Sequence, residues 1–131
     1  MSEYSSEEVS AIYELGRVYF EIGYFVPAER IFTGLAVVDA AQIPARLGLG
    51  LIKLEQGLVN EAVVQFRLAL EAGGYELETK LALGACFISS GETPRAQSIL
   101  AEVGHRLDAG ASVRDDLRNF YLALSRRIRA G

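Results

Sequence analysis

Small and apolar residues recur along this chain at a fixed step of 34 positions, a period that marks a repeated structural unit. The pairs Leu15-Gly16, Leu49-Gly50 and Leu83-Gly84 keep that step, as do Gly23, Gly57 and Gly91, then Ala28, Ala62 and Ala96, and the large apolar set Phe32, Phe66 and Leu100. Four columns in register make coincidence implausible, and a step of 34 residues is the one known for helix-turn-helix repeats. The first helix ends at the Gly23 column, since glycine tolerates the left-handed backbone of a helix stop. Asn60 and Thr93-Pro94 read as starts of second helices, and Gly73-Gly74 ends the second pair. Gly16, Gly50 and Gly84, with the alanine column, are small where antiparallel helices approach, and the Leu and Phe columns fill the space between them. From Ser112 a separate helix is expected, with Asp115 three residues after Ser112, Leu117, Phe120, Tyr121, Leu124 and Ile128 on one face, and Arg126, Arg127 and Arg129 at its C-terminal end.

The column pattern resembles the tetratricopeptide repeat (TPR), a helix-turn-helix unit. Tyr19 and Phe87 fill its aromatic column; Lys53 departs from it in the second unit, and no unit has the Trp or Pro often seen at its ends. The expected fold is therefore all-α: three tandem TPR repeats over about 9–42, 43–76 and 77–110, with a capping helix over about 112–129, as one right-handed α-solenoid domain spanning 1–131. The cap would cover the open end of the last repeat. In such a stack the first helix of each pair lines the concave surface. On that side lie Tyr13, Arg17 and Phe20, then Leu47, Leu51 and Leu54, then Leu81, Ala85 and Ile88; the opposite faces carry Leu15, Val18, Leu49, Ile52, Leu83 and Phe87. Helices apolar most of the way round are buried or covered by a partner. One reading is that the superhelix curls tightly and buries the inner residues against each other. The other is that they form an open apolar groove that takes anchors from a bound peptide.

Composition narrows the function. The chain has 131 residues, half of them hydrophobic and 23% charged, enough to bury a core without staples. Its net charge of −4 gives no general grip on phosphate backbones, so nucleic acid is not an expected partner. The acidic, polar start Met1–Glu8 is unlike a secretory signal, and no apolar stretch has the ~20 residues of a membrane span. The single cysteine, Cys86, and single histidine, His105, supply too few parts for a zinc site or a nucleophilic triad. In Gly48-Leu49-Gly50, Lys53 stands where a dinucleotide fingerprint needs its third glycine, and no strand precedes it. No catalysis, cofactor or metal is expected.

A closer likeness lies in the acidic leader, the aromatic-rich first repeat, Leu35-Ala36-Val37-Val38-Asp39, Arg46-Leu47-Gly48-Leu49-Gly50, and Ala85-Cys86 followed by Gly91-Glu92 and Ala96. Together they resemble the SycD/LcrH/IpgC family, the class II chaperones of bacterial type III secretion. That resemblance implies a cytoplasmic bacterial protein that keeps a hydrophobic secreted translocator soluble before export, with an extended client segment in the groove. Members usually carry an additional N-terminal helical segment used in dimerisation, and only eight residues precede the first repeat here. Six of the twelve aromatic side chains, Tyr13, Tyr19, Phe20, Tyr24, Phe25 and Phe32, lie in repeat one, which makes that end a candidate homodimer surface. Two other readings stay open: a TPR co-chaperone of the secretion needle subunit, and a general TPR adaptor. The adaptor usually lines its groove with Lys, Arg and Asn, whereas Arg17 alone is basic here.

Overall fold

A computed structural model describes residues 4–38, 41–73 and 75–110, together with 122 and 126. The described residues form six α-helices and no strand: α1 (Ser6–Glu21), α2 (Phe25–Leu35), α3 (Gln42–Glu55), α4 (Val59–Ala72), α5 (Glu76–Ser89) and α6 (Thr93–Asp108). They pack as hairpins, α1 on α2, α3 on α4 and α5 on α6. The all-α expectation holds. The expected capping helix lies outside the described residues apart from Leu122 and Arg126, which are helical.

Each first helix is stopped by the same device. Gly23, Gly57 and Gly91 have φ of 86°, 78° and 77°. Around them the N–H groups of Tyr24, Leu58 and Glu92 each donate to the carbonyl five residues back (Tyr19, Lys53 and Phe87) at 2.8 Å. The glycine N–H groups donate to Phe20, Leu54 and Ile88 at 3.0 to 3.1 Å, which completes a Schellman-type stop and satisfies the last carbonyls of the helix. The helix starts are less uniform. Ser5 caps α1 in a capping box: its hydroxyl accepts from the Glu8 N–H while the Glu8 carboxylate accepts from the Ser5 N–H. Those bonds, the backbone one first, hold the Glu8 carboxyl below its ordinary pKa. Pro94 opens α6 as expected, whereas α4 begins at Val59, one residue before Asn60, with no side-chain cap.

The chain divides into two compact units, Met1–Gly74 and Tyr75–Gly131, cut close to the expected boundary between the second and third repeats. In the first unit, Val9, Ala28, Phe32, Leu35, Ala41, Ala45, Leu49 and Ile52 form one buried cluster across α1, α2 and α3. Phe32 is clasped by two glycines: a Cβ on Gly16 would lie 2.8 Å from its Cε1, and one on Gly48 2.6 Å from its Cε2. Gly50 does the same for Phe66 of α4. Lys53, the departure from the aromatic column, is also accounted for. Its ammonium pairs with Glu29 of α2 at 3.0 Å, and that bond raises its pKa, so an ion pair ties α3 to α2.

In the second unit, Leu77 and Leu81 of α5 pack on Leu100, Val103 and Leu107 of α6. Lys80 pairs with Glu76 at 2.9 Å and with Glu102 at 2.8 Å, and Arg106 reaches Glu76 at 3.3 Å, clipping the two helices together at the surface. Among the described residues the one buried polar side chain is Thr79, whose hydroxyl donates to the Tyr75 carbonyl at 2.8 Å, within a turn where Tyr75 holds φ of 49°. That bond removes the cost of burying the hydroxyl.

Candidate peptide-binding face

Within the first unit the inner residues fall into two rows in matching register. Tyr13, Arg17 and Phe20 follow one another at i, i+4 and i+7 on α1; Leu47, Leu51 and Leu54 do so on α3, and the two helices touch. The α1 row is anchored from below. The Tyr13 ring lies 5.7 Å from that of Phe32, and Phe20 lies 5.7 Å from Phe25, so both are half-buried with one side on the core. Arg17 is exposed and held by Glu14, at 3.1 Å, and by Glu21, and these carboxylates raise its pKa. On α3, Leu47 and Leu54 are half-buried and Leu51 stands 40% exposed. The arrangement is an apolar face with a single, already neutralised cation.

Two expectations need correction. Leu81 was expected on the open side of α5, yet it is only 2% exposed, packed into the core of its own hairpin with Leu77, Leu100, Val103 and Leu107. Ala85 and Ile88 are half-buried and lean on the same core. The reason is that α5 is apolar on every side, so a helical wheel cannot tell which side its partner helix takes. The second correction concerns α1, where Leu15 and Val18 were assigned to the packed side. They are 50% and 46% exposed, and Ile22 is 57% exposed. The columns they belong to are buried in α3, at Leu49 and Ile52, by the preceding hairpin, and no described helix precedes α1. The same end-of-stack reasoning that called for a cap after the third repeat, applied to the first, would have found this stripe.

Among the described residues no other cluster of reactive groups is assembled. Cys86 is buried and loss of solvation pushes its thiol up to about 11, which leaves it protonated and unreactive at neutral pH. Among the described residues no three His, Cys, Asp or Glu side chains come together as a metal site, and no helix is long and apolar enough to cross a membrane.

No protein-family model and no curated relative matches the sequence. Solved structures do match in fold. The type III secretion translocator chaperone SycD of Yersinia enterocolitica superposes with a TM-score of 0.79 at 22% identity, over 98% of this chain and 86% of that one. The chain shares the fold of that protein. SycD in complex with a peptide of the translocator YopD gives the same score and identity, over 95% of that chain. PcrH from Pseudomonas aeruginosa matches with a TM-score of 0.78 at 20% identity, over 97% of this chain and 93% of the other. The likeness thus covers nearly the whole length of the chain.

Proposed function

We propose that this protein is a chaperone of the type III secretion translocator class, working in the bacterial cytoplasm and holding an apolar segment of a translocator-like client against the α1–α3 face. The observation that carries this reading is the pair of rows Tyr13, Arg17, Phe20 and Leu47, Leu51, Leu54. An acidic chain keeps the exposed Leu51 and the half-buried Leu47, Leu54, Tyr13 and Phe20 on two touching helices, with Tyr13 and Phe20 resting on the core by one side and open on the other. Such a face gains free energy from anchors inserted by a client. That SycD has been solved with a translocator peptide supports a client of the same kind here. Leu81 is left out of the proposed face because its side chain is already used by the core, and Ala85 and Ile88 offer only their edges.

Leu51→Glu tests the reading. The position is open to water in the free protein, so the carboxylate stays hydrated and helicity and melting temperature remain near wild type. Beneath an apolar peptide the same carboxylate would be desolvated. Loss of a translocator-like client in co-purification, with the fold kept, supports the proposal. A variant that folds and retains the client shows that the client uses another surface; one that unfolds shows that Leu51 belongs to the core.

A further inference from the structure

The face of α1 opposite the proposed client rows carries a second feature of its own. Ala11, Leu15, Val18 and Ile22 stand in a line at alternating steps of four and three residues, all exposed. Steps of this kind form the seam along which one helix packs on another. Comparison by column shows what the seam is built to meet. Ala11, Leu15 and Val18 correspond, 34 residues on, to Ala45, Leu49 and Ile52 of α3, which are buried in the cluster that contains Ala28, Phe32 and Leu35 of α2. A further 34 residues on, Thr79, Leu83 and Cys86 are buried as well. The covering element in the first unit is a helix, so the shape that fits the α1 seam is a helix.

Charge selects its chemistry. Glu7, Glu14 and Glu21, spaced seven apart, run along one flank of the seam, and Glu8 borders its start. The lone base of α1, Arg17, is shared between Glu14 and Glu21, so the flank remains acidic. A second copy of α1 does not answer this pattern. Laid antiparallel, it brings Glu14 and Glu21 against the same row of the partner; laid parallel, it sets them opposite Ile12 and Tyr19, where the carboxylates lose water and gain no cation. We propose that the Ala11–Ile22 seam docks an amphipathic helix of another protein whose apolar stripe is bordered by Lys or Arg. This inference stands apart from the client role, since it uses the other side of α1.

The test uses the full chain and two synthetic 21-residue helices with Leu at the seam positions, one flanked by Lys and one by Glu. Titration by fluorescence anisotropy, with amide chemical shifts to locate the contact, is expected to show the Lys peptide binding at Ala11, Leu15, Val18 and Ile22 and the Glu peptide at least tenfold more weakly. Leu15→Ser combined with Val18→Ser should weaken the Lys peptide at least tenfold while client retention is kept; should that variant misfold, Glu7→Gln with Glu14→Gln should weaken it severalfold instead. Equal binding to wild type and the folded variants, or shifts elsewhere on the surface, overturns the proposal as mere bulk charge attraction. A wild-type dimer in sedimentation that the seam variant converts to monomer also overturns it, in favour of a second copy as the occupant.

Discussion

The clasp on Phe32 makes a quantitative prediction about two glycines. In Gly48→Ala the new methyl would lie 2.6, 2.7 and 2.9 Å from three atoms of the Phe32 ring. The ring cannot retreat, because on its other side Gly16 already leaves room for it and nothing more. Forcing a methyl into such a site costs roughly 1–3 kcal/mol, against which alanine's better helix propensity returns about 1 kcal/mol. Gly34 of α2 supplies the control: it is helical, and a Cβ there meets nothing within 4 Å. Gly34→Ala should therefore stabilise by a few tenths to ~1 kcal/mol. Urea unfolding followed by far-ultraviolet circular dichroism should separate the two variants by about 1–3 kcal/mol, since the propensity term is common to both. Adding Phe32→Leu should recover part of the loss in Gly48→Ala, a coupling that independent sites do not show. If Gly48→Ala proves as stable as Gly34→Ala, the ring does not occupy the space between the two helices and the packing argument is wrong.

Leu81→Ala should behave as a core truncation, losing about 2–5 kcal/mol of stability, and any loss of client should follow unfolding rather than precede it; undiminished stability with lost binding would return Leu81 to the client face. Glu76, held below its ordinary pKa first by its bond to Lys80 and then by Arg106, stabilises the second unit fully above the usual glutamate range and loses that contribution as pH falls through the lowered value. The melting-temperature gap between wild type and Glu76→Gln should thus be constant near neutrality and close in acid; a gap independent of pH would show that the Lys80 and Arg106 contacts do not act on the folded state.

Much of this fold could be read from the columns because helix stops and close approaches restrict which residues are allowed. Only a residue that accepts positive φ fits at Gly23, Gly57 and Gly91, and only a residue without a side chain fits beside Phe32 or Phe66. Face assignment was weaker, and for a physical reason. Leu15 and Leu49 occupy the same column, yet one is half-exposed and the other buried, because exposure depends on what stacks above and a sequence column carries no information about that. Leu81 failed differently: in α5 apolar residues surround the axis, and the choice of packed side is made by Leu100, Val103 and Leu107 on another helix. Lys53 was visible only as a departure. Its partner Glu29 lies 24 positions upstream, and the ion pair needed the hairpins to be in place before it could be recognised.

The repeated helix stops have a consequence for how the molecule comes into being. Every bond that closes the turn after α1, α3 or α5 joins residues at most five apart, and each hairpin packs its own two neighbouring helices. Closing such short loops has a low entropic cost, and structures dominated by near-neighbour contacts fold quickly compared with the ~5–20 residues per second at which a ribosome extends the chain. The first two hairpins, which share one core across α1, α2 and α3, can therefore be packed while the third is still being translated. If the chain holds aggregation-prone clients as proposed, this order of events sorts its own apolar surfaces into core and face before a newly made client is there to compete for them.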